Sequence, residues 1–170
     1  FSMTSPDKLR AVSQTAQGDA LPTPLALENP LREELSVLRT LLLPGLLDAL
    51  RKNLHHGQTD LRLCEVGEVF LSPSGGSGFD PACIQTTRIA GVLCGNRSYF
   101  LKPTPADALD FADVRGIVEE LLDGLGYVVV PQPGAAADPA APREVRIESA
   151  QSSTQPWLHP GLGAVVRAAT

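Results

Sequence analysis

The sequence predicts an α+β domain with a mainly antiparallel sheet flanked by helices. Three observations carry that expectation. Leu46, Leu47, Leu50 and Leu54 recur at helical spacing, and so do Phe111, Val114, Val118, Leu121, Leu122 and Leu125. Short apolar runs (Leu61–Phe70, Ile89–Leu93, Tyr127–Val130) stand beside these helices in the order expected of adjacent strands. The 15 glycines and 15 prolines cluster between the apolar runs, which marks loops rather than general disorder. With 170 residues, 43% of them hydrophobic and 19% charged, the chain suits one domain, 1–170, with a core of its own. Aromatics are only 5%, so Leu, Val and Ala must fill that core.

Each element has a local reason. Residues 6–13 suit a short helix: Ser5 caps it, Pro6 takes the first helical position, and Leu9 and Val12 face inward. Residues 14–24 are small and polar, a loop. Leu25–Glu28 is a candidate strand ended by Asn29-Pro30. Leu35, Leu38 and Leu42 suggest a helical turn or short helix that breaks at Pro44. Pro44 then opens the strongest helix, and Gly57 closes it as a left-handed cap after His55 and His56. Leu61–Phe70 reads as a strand in which Gly67 marks a bulge or a close backbone approach. Ser72–Asp80 is a glycine/serine loop within the 72–87 connection, and Ile89–Leu93 is the buried antiparallel partner strand. Asp110–Leu125 is the second helix, ended by Gly126. Tyr127–Val130, Val145–Ile147 and Leu162–Val166 are strands, and 131–143 is a proline/alanine loop. No internal repeat is present.

Composition and motifs exclude several functions. The net charge of −5 argues against strong non-specific nucleic-acid binding by these residues alone. Cys64, Cys83 and Cys94 make no C-x-x-C pair, and an odd number suits a reducing compartment. Cys64 and Cys94 fall within apolar strands and read as buried, inert thiols. No apolar stretch is long enough to span a membrane, because Pro44-Gly45 interrupts the richest one. His55-His56 lack a third ligand at metal spacing and read as charges on a helix C-terminus. Arg39, among leucines, reads as half of an internal ion pair with Glu33 or Glu65. Asp110, Asp113, Glu119 and Glu120 read as dipole partners and a solvated helix face. Gly75-Gly76-Ser77-Gly78 fits no phosphate-binding pattern, and no nucleophile elbow is present. His159, in Pro156-Trp157-Leu158-His159-Pro160-Gly161, reads as structural.

The run from Asn29 to Leu47, N-P-L-R-E-E-L-S-V-L-R-T-L-L-L-P-G-L-L, closely resembles a segment of the bacterial phenylalanyl-tRNA synthetase beta subunit family. Leu61–Phe70 is similar to that family's L-F-E-I-G-x-V-F strand, and Arg88–Gly95 to its L-A-G-x-x-x-G strand. Asp110–Glu119 resembles its D-F-F-D-x-K-G-x-V-E helix start, and Trp157–Gly161 its F-L-H-P-G-R segment. Departures occur at Leu41, Arg115 and Leu162, where the family has serine, lysine and arginine. The resemblance covers residues 25–165.

The resemblance implies a class II aminoacyl-tRNA synthetase-like fold and a piece of a longer beta chain. It also implies that this module is catalytically inert. Active class II enzymes carry F-R-x-E at the corresponding strand end, where the arginine holds the activated carboxylate and phosphate. Here the strand ends Phe70-Leu71-Ser72-Pro73. In the family the alpha subunit of a cytoplasmic alpha2beta2 enzyme charges tRNA with phenylalanine, using ATP and magnesium. Other domains meet the tRNA, and no membrane is involved. This module is expected to hold no cofactor or metal and to pack against the alpha subunit. Arg39, Pro44, Leu46, Leu50, Glu65 and His159 are the candidate structural or interface residues. An RNA-binding module and a stand-alone enzyme with a remodelled class II site are the alternatives.

Overall fold

The computed structural model describes residues 2–13, 23–72, 83–97, 107–129, 143–149 and 164–168. It is α+β, with three α-helices and small sheets among those residues. Contacts divide the chain into two compact units, one holding Phe1–Thr15 and Asp19–Leu109, the other Ala16–Gly18 and Asp110–Thr170.

The first unit opens with β1 (Met3–Thr4), which the sequence does not predict, and α1 (Pro6–Ser13). The Ser5 hydroxyl accepts the Asp7 amide at 3.1 Å, the expected cap. Leu9 is buried and Val12 half-buried. A 3-10 turn at Glu33–Leu35 leads into β2 (Val37–Leu38), antiparallel to β1. Of the helical turn or short helix expected before Pro44, the structure forms the turn, followed by extended chain. Val37 is β-branched and 6% exposed, so burial favours the strand there. Leu25–Glu28 does not form a regular strand. It contributes one antiparallel bridge, Ala26 to Val37, and two flanking hydrogen bonds to the Ser36–Leu38 segment.

Helix α2 (Leu43–His55) begins as expected with Pro44 in its first turn. The Gly57 amide bonds the Leu54 carbonyl at 3.0 Å and the Gln58 amide that of Asn53 at 3.1 Å. Gly57 has φ +80, which disfavours a side chain there although the space is open. Lys8 of α1 pairs with Asp48 of α2. Leu9, Leu25, Val37, Leu42, Leu46 and Val69 form this unit's core.

Strands β3 (Leu61–Leu71) and β4 (Ile84–Cys94) make an antiparallel hairpin in continuous register from Leu61↔Cys94 to Leu71↔Ile84. Gly67 pairs directly with Arg88, so it is no bulge. β4 is longer than Ile89–Leu93 and is not buried: Ile89 is 51% exposed. Burial alternates along β3, because α2 packs against the hairpin and the opposite side faces solvent. Cys64 falls on the solvent side with Arg62 and Val66. It is exposed and Cys94 only half-buried, which corrects the expectation of two buried thiols.

The second unit opens with α3 (Phe111–Gly124), N-capped by Asp110. The Asp110 carboxylate accepts the Ala112 and Asp113 amides at 2.8 and 3.3 Å, and Asp113 returns a bond to the Asp110 amide at 2.8 Å. This reciprocal box satisfies donors that a helix start leaves open. Asp110→Ala is expected to cost about 1 kcal/mol, read as a lower urea midpoint with the denaturant slope unchanged. Gly126 follows the helix, as expected. Strands β5 (Tyr127–Val129), β6 (Arg143–Ser149) and β7 (Ala164–Ala168) form a sheet in that order. β6–β7 is antiparallel and β5–β6 parallel, so the sheets are mostly but not wholly antiparallel. Of the loops expected at 72–87 and 131–143, residues 73–82 and 131–142 lie outside the described residues, while 84–87 and Arg143 belong to strands β4 and β6.

Candidate functional site

Polar contacts in the first unit converge on Arg39. Its amide donates to the Ser2 carbonyl and its carbonyl accepts from the Phe70 amide, both at 2.9 Å. Its guanidinium donates through Nε to the Glu68 carbonyl at 2.8 Å and through Nη1 to Glu65 Oε1 at 2.5 Å. Glu65 is therefore the ion-pair partner, while Glu33 lies exposed on the 3-10 turn. The Arg39 and Glu65 side chains are 12% and 32% exposed, a shielded pair in which removing either partner strands the other.

Gly67 explains how the guanidinium reaches this position. A Cβ at Gly67 would collide with Arg39 Nη2. Glycine is required here for close approach, the second of the two meanings its place in a strand suggests. The other Glu65 oxygen lies 3.9 Å from where a Cβ on Gly45 would sit, beside the first turn of α2. A carboxylate is favoured near a helix N-terminus. The fork of Arg39 is thus committed to the chain's own strand rather than to a ligand.

The other candidates separate by burial. Pro44 and Leu46 are buried and serve this unit's own core. Leu50 is half-buried, while Leu47 and Leu54 are 42% and 39% exposed. Leu46 is therefore unsuited to meet a partner, and the outward leucines of α2 are its neighbours. His159 lies outside the described residues. His55 ends α2 and His56 caps it, both exposed, where cations complement the helix dipole. Among the described residues no group of three or more metal-ligating side chains gathers. None of their helices is long and apolar enough to cross a membrane.

The end of β3 is aliphatic. Leu71 closes β3 opposite Ile84, two residues beyond Val69, which is 1% exposed. No side chain at 71 offers a donor to a developing negative charge. A hollow of about 330 Å³, which the sequence reading missed, lies elsewhere, lined by Ser5, Pro6, Asp7, Arg10, Glu33, Glu34 and Ser36. Its three carboxylates outnumber its one guanidinium, and Arg10 already pairs with Asp7 at 3.1 Å. That balance disfavours an anionic occupant. Its residues come from segments distant in sequence, so no local pattern announced it.

Helix α3 carries the largest departure from expectation. Helical spacing implies a single apolar face, but the apolar residues divide. Phe111, Val118 and Leu122 are half-buried. Val114, Ile117, Leu121 and Leu125 are 41, 48, 38 and 63% exposed. Residue spacing marks a helix's apolar positions without saying which of two adjoining stripes the rest of the chain covers.

The sequence finds a match among known proteins. The family described as Phenylalanyl tRNA synthetase beta chain CLM domain matches residues 1–170. The chain belongs to this family. The chain is similar to the phenylalanine–tRNA ligase beta subunit of Syntrophotalea carbinolica, 31% identical over 144 residues, covering 85% of this chain and 15% of that protein. The corresponding subunit of Chromobacterium violaceum is 34% identical over 137 residues, 81% of this chain and 17% of that protein. That of Geobacillus kaustophilus is 34% identical over 167 residues, 95% of this chain and 20% of that protein. The CLM domain thus spans about 15–20% of the length of these relatives.

Proposed function

We propose that this CLM domain is a catalytically inert structural and assembly module of a phenylalanine–tRNA ligase beta subunit. In this reading residues 1–170 form one class II synthetase-like module of a longer chain. It packs against the alpha subunit of a cytoplasmic alpha2beta2 enzyme. ATP, magnesium and the charging reaction belong to that alpha subunit, and tRNA is met through other domains.

Leu71 is the observation that carries inertness. Adenylate formation builds negative charge on a carboxylate and a phosphate, and stabilising it needs fixed donors at the reacting atoms. An isobutyl group at the strand end supplies none. Arg39, the shielded arginine nearby in the fold, is already held by Glu65 and the Glu68 carbonyl. Support for an assembly role comes from apolar side chains left at the surface. Val66 is 66% exposed and stands directly opposite Ile89 on β4, and α3 presents its own bare stripe.

Two measurements test the reading. The purified chain is expected to give no phenylalanine-dependent ATP–pyrophosphate exchange above a no-enzyme blank. Exchange that is lost on Arg39→Met would overturn inertness. Mixed with the alpha subunit from the same source, the chain is expected to co-elute as a complex. Two independently eluting species at micromolar concentration would sink the assembly role.

A further inference from the structure

We draw no further inference here: the strongest candidate, the apolar patch that Val66 and Ile89 make on the solvent side of the β3–β4 hairpin, is an unpartnered sheet face, and nothing in the structure shows what covers it.

Discussion

Leu46→Asp is expected to destabilise the first unit severely and lower its melting temperature by many degrees, whereas Leu47→Asp, one residue along, is expected to leave it near parental stability. Leu46 is 5% exposed and lies on the face of α2 that meets the core, while Leu47 is 42% exposed. Burying an aspartate there removes an isobutyl group from the core and places an unpaired carboxylate in it. Together these effects cost about 4–5 kcal/mol. A domain of this size holds a net stability of about 5–15 kcal/mol, so about a third or more of the margin is consumed. At Leu47 the change exchanges one solvated side chain for another, costing about 1 kcal/mol or less. Thermal melts followed by circular dichroism separate the two. A cooperative, near-parental melt for Leu46→Asp would refute the packing described for α2. The same result shows why a partner-binding defect in a Leu46 variant says nothing about an interface.

Gly67→Val is the second large effect, because the new side chain and the Arg39 guanidinium need the same space. The guanidinium must leave, and with it go its bonds to Glu65 and the Glu68 carbonyl. Glu65 is then partly shielded and unpaired. The loss is expected to be about 2–3 kcal/mol. Arg39→Met removes the pair without adding bulk and is expected to cost about 2 kcal/mol. In the Arg39→Met/Gly67→Val double variant the clash is gone, because a thioether chain can yield. Its cost is expected to fall well below the sum of the two single changes. Strict additivity in denaturant titrations would show that the glycine and the arginine do not share that space.

Local chemistry explains which elements the sequence disclosed. Ser5-Pro6, Pro44, Gly57, Asp110 and Gly126 each act within a few residues, and all five mark helix ends in the structure. The hairpin was legible because both of its runs lie close along the chain. Arg39 to Glu65 was one of two pairs suggested, since a guanidinium among leucines needs an acid. What the sequence withheld depends on distant partners. Met3–Thr4 is a strand only because Val37–Leu38 lies beside it. Leu25–Glu28 shares that same short partner and so yields one bridge. The parallel pairing of β5 with β6 follows from the path of the chain, not from the composition of either strand. Exposure of Cys64 and of the α3 stripe reflects which faces the rest of the chain covers, and periodicity cannot report that.

Arg39 ties the opening residues to the hairpin: its amide holds Ser2 while its carbonyl and side chain hold β3. Ser2 is thus part of a tether that fastens the segment ahead of α1 to the hairpin. A bulky insertion next to Ser2 would crowd an anchor point, and a flexible spacer there would protect the fastening.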